Sequence, residues 1–547
     1  MPERAANTNH SFDDGRDPEP VSPDDIRLQV DKEIMRRLEA AIADRDFEAA
    51  TALLREDWFH VMLALGGGLV DALAKIPHAS LREHPLLTMA LGIAYNTVPH
   101  KRAKAFTLFA TAAVAARASN HSIGAVDRAL ILVTESAAFR LIGRARLGKR
   151  ASRAAIAALD HLSDNERESI GAISRLYAHV GTTLYYAGEV DEALEAFEKG
   201  LAEPPENGYS GGFANLAMLA GIHAVRGDIY EAVAHAQSAQ DDRWTDMQRS
   251  WYPGTFYRIA EAIIALERFD TDAARAHLDA MVHDRRSIEH WLAIAITEAM
   301  TELLAGRPGE ALSELESFVV MRGSEGRTDA ARTMLAPTRV LIQLALGNPD
   351  AARVIARRDT DEGIERHIAL ARVELSLGRH GAALTEIRAV QGSLRSAREV
   401  AEAAVIEAAA LLRFSASARS EGIIQQLGAL VERSGQRVPL VLVPHADRLR
   451  IVAALDDAGY NAATTELPQR TILPDADADA ILSERELAVL QSLMRNSSAA
   501  RIAAELVVSV NTVKSQLRSV YRKLGVSNRD QAIAVALDRH LLVQRED

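Results

Sequence analysis

The stretch "VSVNTVKSQLRSVYRKLGVSNR", Val508 to Arg529, holds five basic residues and no acidic one, in a chain of 547 residues whose formal net charge is -12. Two periodicities run through it. Val513, Leu517, Val520 and Leu524 recur at intervals of four, three and four, which puts them on one stripe of a helix. Lys514, Arg518 and Arg522 recur every four residues on a neighbouring stripe, with Asn511 and Ser515 beside them. Ser509 is placed to cap this helix and Gly525 to end it. One face is built to pack and the other is basic. Basic residues at this spacing often only solvate a helix, but they then come interleaved with acids, and from Lys514 to Arg529 there is none.

The flanking sequence supplies a scaffold for that helix. In "LSERELAVLQSLMRN", Ser483 and Glu486 form a capping box ahead of Leu487, Leu490 and Leu493 or Met494, so a first helix starts there. "RIAAELVV" predicts a short second helix, and "NRDQAIAVALDRHLL" a fourth after the basic one. A short helix, a tight connection and a longer helix with a polar, basic N-terminal face make a helix-turn-helix, whose second helix fits the major groove of DNA. Charge is distributed to match. From Ser483 to Val543 nine Arg and Lys stand against five Asp and Glu, a net +4 on a chain of -12, so the rest of the chain carries the acid. The basic segment suits displacement of counterions from a polyanion, and the acidic remainder is repelled by it.

These residues carry a specific resemblance. Ser483, Arg485-Glu486, Val489-Leu490, Ile502-Ala503, Leu506, "SVNTVK" from Ser509 to Lys514, "YRKLGV" from Tyr521 to Val526, and Arg529 resemble the four-helix DNA-binding domain of the LuxR family of bacterial transcription regulators. The resemblance covers about sixty residues. Asn496, Ala499, Ala500 and Gln516 depart from the commoner family residues, so a family operator sequence does not carry over. The resemblance implies base-edge contacts from Lys514, Ser515 and Arg518 and phosphate contacts from Thr512, Arg522 and Lys523. It also implies double-stranded DNA as partner, a homodimer on DNA, and a fourth helix near Ala532 to Leu541 as a dimer surface, although in this sequence the domain's own core could equally cover that helix.

Upstream, Met1 to about Asp25 is polar, acidic and proline-bearing, and is expected to be disordered. From Ile26 to about Tyr460 the sequence shows helical periodicity rich in alanine and leucine, with one short strand-like run, "VPLVLVP", at Val438 to Pro444. A unit recurs in it: a helix end, a glycine, and an alanine five positions later that opens the next helix. The pairs are Gly188 and Ala193, Gly227 and Ala232, Gly306 and Ala311, Gly347 and Ala352, and Gly378 and Ala383; Arg268 takes the glycine slot before Ala273. A spacing near 40 residues accommodates two helices and two turns, and such pairs bury their apolar faces by stacking. "DRDFEAATALL", Asp44 to Leu54, is an earlier, degenerate copy. Residues 461–480, rich in Pro, Thr and alternating Asp-Ala, are expected to be a linker.

The predicted fold class is therefore all-α: a tetratricopeptide-like α-solenoid of helix pairs over 26–460, then a linker over 461–480 and a small four-helix LuxR-type helix-turn-helix domain over 481–543. Large LuxR-type regulators similar to the MalT group set a nucleotide-binding ATPase ahead of such repeats. This chain resembles one without its ATPase, because its repeats begin near the N-terminus.

Chemistry is thinly signalled. "GYSGG" around Ser210 has the spacing of a nucleophile elbow but no preceding strand. "GRARLGK", Gly143 to Lys149, has phosphate-loop spacing, but Arg150 stands where a Ser or Thr must follow. The chain has no cysteine and no histidine cluster of ligand spacing, so no metal or cofactor is expected, and no enzyme. No apolar run is long enough to span a bilayer and the N-terminus lacks a secretory signal, so the expected location is the cytoplasm. Trp244, Trp251, Tyr252 and Tyr257 are candidates to line an effector pocket, or else wedges between helices. The repeats are expected to sense a small molecule or a protein and to control DNA binding or dimerisation. The alternative is an interaction scaffold that the helix-turn-helix tethers to DNA.

Overall fold

The computed structural model of the chain describes residues 23–56, 58, 67–96, 99–118, 123–170, 173–204, 211–281, 285–286, 288–360, 363–413, 417–475, 484–495, 498–524, 526 and 528–538. Among them the protein is all-α, with 30 α-helices and no strand. The expected disorder over 1–25 falls almost wholly outside the described residues; Pro23 opens a helix that runs to Ala43. The strand-like run at 438–444 is a 3-10 turn, Val438–Val441, with only an isolated bridge between Pro444 and Leu473. Pro439 and Pro444 lack the N–H groups that a ladder needs, so its valines are buried without a sheet.

Consecutive helices pack as pairs, and one kind of turn recurs within many of them. Gly188, Gly227, Gly306, Gly347 and Gly378 all have positive φ, between 70° and 88°. The next residue then donates back five positions, as Glu189 N–H does to the Leu184 carbonyl at 3.0 Å and Asn348 N–H to Gln343 at 2.8 Å. This is the left-handed cap in which glycine has no side chain to clash. The alanines five positions on, Ala193, Ala232, Ala311, Ala352 and Ala383, have no exposed surface.

One copy differs from the predicted register. The left-handed residue is Phe269, φ 60°, not Arg268, and the buried small residue is Ala274, not Ala273. Two further turns use the same device: Arg45, φ 59°, with buried Ala50, and Gly143, φ 69°, with buried Gly148. The second is the "GRARLGK" segment, which is therefore an inter-helix turn. Its Lys149 ammonium is bonded to the Glu189 carboxylate.

The chain divides into two compact units. The first comprises Met1–Val225, Tyr230–Glu261 and His277–His290. Its core runs from Ile34 to Val180, and its helices Ile173–Tyr186 and Val190–Ala202 lie so close that a Cβ on Gly181 would sit 2.7 Å from the Phe197 ring. The second comprises Arg226–Ile229, Ala262–Ala276 and Trp291–Asp547. In it, "ELLAGR" and "ELSLGR" each place a glutamate four residues before the cap glycine. The Glu302 carboxylate, 2% exposed, is held by Arg275 and by Arg307 at 2.5 Å. Glu374, 10% exposed, is held by Arg353 at 2.8 Å and Arg379 at 3.5 Å.

Residues 461–475, which composition marks as linker, are tied into this second unit. Asn461–Thr464 is a helical turn, Ile472 and Leu473 are buried, and Arg448 donates to the carbonyls of Pro468 and Arg470 at 2.9 and 3.0 Å. The Asp475 carboxylate accepts from the Ala446 N–H at 2.7 Å.

Candidate nucleic-acid interface

Four helices follow: Glu484–Arg495, Ala499–Glu505, Val510–Leu524 and Arg529–Asp538. They share one core, with Val489, Leu490, Ile502, Val513, Val520, Ala532 and Ala536 at zero exposure. The predicted cap of the first helix, Ser483, and the stop at Gly525 lie outside the described residues. The cap of the third is in place: Ser509 Oγ accepts from the Thr512 N–H at 3.0 Å. Asn528 does the same for the fourth, accepting from Gln531 N–H at 3.0 Å.

The basic helix divides as its spacing predicts. Val513 and Val520 are buried and Leu517 is half-buried, whereas Asn511, Thr512, Lys514, Ser515 and Arg518 are exposed. Four helical residues rise about 6 Å, so Lys514 and Arg518 sit about two base steps apart. Ion pairs in this domain join Arg495 to Glu505 at 2.5 Å and Arg529 to Asp530 at 3.6 Å. Among the described residues neither Lys514 nor Arg518 is in one. Arg522 and Lys523 continue the helix, but their side chains lie outside the described residues.

The turn before this helix is tighter than the sequence suggests. Val507 takes the left-handed conformation, φ 54°, and is 90% exposed. Val508 N–H then donates back to the Ala503 carbonyl at 3.0 Å, as in the repeat turns. Arg529 fixes the opposite end of the domain, donating from Nε and Nη2 to the Leu493 carbonyl.

The four candidate effector residues do not share one environment. Trp244 and Tyr257 are buried against Phe213, with ring centroids 5.3 and 6.1 Å away. Trp251 is 45% exposed, and Tyr252 stacks on His290 at 5.2 Å while its hydroxyl bonds the Glu289 carboxylate. Glu289 is the centre of a cluster that sequence reasoning missed. The Arg140 guanidinium lies 3.0 Å from it and also donates to the His179 carbonyl and Thr183 Oγ1. Burial pushes the Glu289 carboxyl up, but Arg140, with His290 and Tyr252, overrides that and holds it at about 2. Burial, aided by Arg140, lowers His179 to about 3, so its ring stays neutral. Apart from the adjacent Glu289 and His290, the bonded partners are 37 to 149 residues apart in sequence, and no local pattern announces them. Residues 208–210 of "GYSGG" lie outside the described residues.

Comparison with known proteins places the basic helix in a class. Residues 480–536 match the family model for "Bacterial regulatory proteins, luxR family". The chain is 39% identical over 61 residues to "Transcriptional regulatory protein YdfI" of Bacillus subtilis (strain 168), covering 11% of this chain and 29% of that protein. It is 45% identical over 62 residues to "Probable transcriptional regulatory protein NarL" of Mycobacterium tuberculosis, with the same coverage. The C-terminal helices thus form a LuxR-family helix-turn-helix domain, and the relatives that share it are transcription regulators. The chain spans under a third of the length of these relatives.

Proposed function

We propose that the chain is a sequence-specific DNA-binding transcription regulator, two-domain in plan. Residues 26–460 form the repeat domain, 461–475 are packed beside its last helices, 476–480 connect, and 481–543 bind DNA as a homodimer. In this proposal the helix Val510–Leu524 enters the major groove. Lys514, Ser515 and Arg518 meet base edges, and Thr512, Arg522 and Lys523 hold phosphates. The repeat domain resembles the sensor of MalT-group regulators, and it senses a small molecule or a protein that controls DNA binding or dimerisation.

The observation that carries this is the exposed face with Lys514 and Arg518, outside any described ion pair, opposite the packed face of Val513 and Val520. Two cations without carboxylate partners suit phosphate and base acceptors. The test selects preferred DNA from a random library with the full-length protein, then compares its affinity with that of a 475–547 fragment across a salt series. Tighter binding by the fragment means that the repeat domain occludes the reader. Tighter, two-fold symmetric binding by the full chain means that the repeats supply the dimer. Absence of sequence preference in both defeats the proposal.

A further inference from the structure

The first unit holds a cavity of about 170 Å³ against the helix Ala125–Leu141. Its opening is a matter of side-chain size. Ala137 and Ala138 on that helix are small, while Trp58, Phe109 and Leu176 wall the space opposite. Three polar residues also reach it: Asn96 at the end of its helix, Thr134, and His179. The Thr134 hydroxyl donates to the Leu130 carbonyl at 2.8 Å, which leaves its lone pairs to accept. No charged side chain lines the cavity among the described residues. The nearby Arg140 is committed to Glu289, the His179 carbonyl and Thr183.

We propose that this cavity binds a small, uncharged, largely apolar molecule, a single ring or a short branched chain, that carries one hydrogen-bonding group. Size and chemistry both lead there. An apolar cavity of about 150 Å³ accepts benzene, so this one suits about six to ten non-hydrogen atoms, well below a drug-sized ligand. An ionised ligand would lose water and meet no countercharge, whereas a hydroxyl or carbonyl would find Asn96 or Thr134. Burial holds the His179 ring neutral, so it adds no charge to the lining. The identification of this molecule as the effector rests on the proposed function; the binding itself does not.

The probes share one ring: 4-fluorophenol, 4-fluorotoluene and 4-fluorobenzoate, each titrated into the full-length protein and read by fluorine NMR. Saturable binding is expected for the phenol, weaker binding for the toluene, and at least tenfold weaker binding for the benzoate at neutral pH. Ala137→Leu fills the cavity and is expected to weaken the phenol at least tenfold. Ala138→Val, a smaller intrusion that keeps the fold if Ala137→Leu does not, is expected to weaken it about threefold. No saturable binding of the phenol, equal binding of the benzoate, or binding unchanged in both filled variants overturns the proposal. The regulator reading fails separately: if the protein selects no DNA sequence, that reading is lost while ring binding stands. Ring binding that leaves DNA affinity unchanged supports the site and removes its role as effector site.

Discussion

The guanidinium of Arg529 donates from Nε and Nη2 to the Leu493 carbonyl, at 3.2 and 3.1 Å, and so joins the first helix of the DNA-binding domain to the fourth. Leu493 lies in the last turn of Glu484–Arg495, where carbonyls have no intrahelical partner. A charged donor there satisfies one orphan and opposes the helix dipole. The Arg529 side chain is 36% exposed, so solvent screens part of the effect. Arg529→Ala is expected to lower the local stability of this domain by about 1 kcal/mol. Arg529→Lys recovers only part, because an ammonium cannot hold the two-pronged geometry. Hydrogen exchange of the amides in Glu484–Arg495 and Arg529–Asp538 measures it, and unchanged protection in Arg529→Ala rules the cap out.

Val507 is a β-branched residue in the left-handed region, with 90% of its surface in water. The conformation costs a non-glycine residue about 1–2 kcal/mol, and almost no packing offsets that here. Glycine relieves the strain but loosens the unfolded chain by about 0.4–1 kcal/mol. Val507→Gly is therefore expected to stabilise the domain by about 0.5–1 kcal/mol by the same exchange measurement. A loss of stability would mean that the valine has a role its exposure hides.

Base and phosphate contacts separate by their response to sequence and salt. Arg518→Ala is expected to cost about 1–3 kcal/mol on the selected site and to relax discrimination at one base position. Arg522→Ala is expected to weaken selected and random DNA alike and to reduce the salt slope by about one. Binding isotherms for both variants on both DNAs, at three salt concentrations, decide it. Equal losses on both DNAs for both variants would sink the division.

Much of this domain is legible because its signals are local. Ser509 sits one residue ahead of the helix it caps, and Val513 and Val520 fall on the stripe their spacing requires. The repeat turns are legible wherever glycine marks them. At 268–269 no glycine marks the left-handed residue, so the alanine pattern alone decided the register and placed it one residue early. Val507 escaped notice for the same reason: sequence alone does not flag a valine with positive φ. The Arg140–Glu289 pair joins positions 149 residues apart, and only the fold brings them together.

That pair gives the first unit an acid dependence with a defined sign. Glu289 titrates at about 2 in the fold against an ordinary 4.5, and His179 at about 3 against 6.5. In both cases the unfolded chain binds the proton more readily, so the stability they contribute is complete above the ordinary value and is lost as pH falls through the folded one. His235 and His277, lowered by burial in the same unit, act in the same direction. Unfolding free energy is expected to decline first between pH 6.5 and 4.5, through the histidines, and then more steeply below 4.5 as Glu289 joins. His179→Gln is expected to flatten the upper limb and Glu289→Gln the lower, measured by urea unfolding at each pH. Parallel curves for wild type and both variants would show that neither group titrates this way.

The paired clamps of the second unit yield a graded comparison. Glu302 and Glu374 occupy the same place in two repeats, each between an arginine on a neighbouring helix and the arginine that follows the cap glycine. Removing a buried carboxylate strands its cationic partners, at a cost of about 3–5 kcal/mol when water cannot reach them. Glu302 is 2% exposed, but Arg307 beside it is 48% exposed and keeps Glu310 at 3.0 Å, and Arg275 keeps Glu314 at 3.6 Å, so Glu302→Ala is expected to fall near the lower end of that range. Glu374, at 10%, is better solvated, and Arg379 is 57% exposed, so Glu374→Ala is expected to cost less than Glu302→Ala. Replacing Arg307 or Arg379 instead leaves each glutamate with its other arginine, and is expected to cost under about 1 kcal/mol. Urea unfolding of the four variants gives the order, and a larger loss for Glu374→Ala than for Glu302→Ala would show that depth of burial does not set the strength of these clamps.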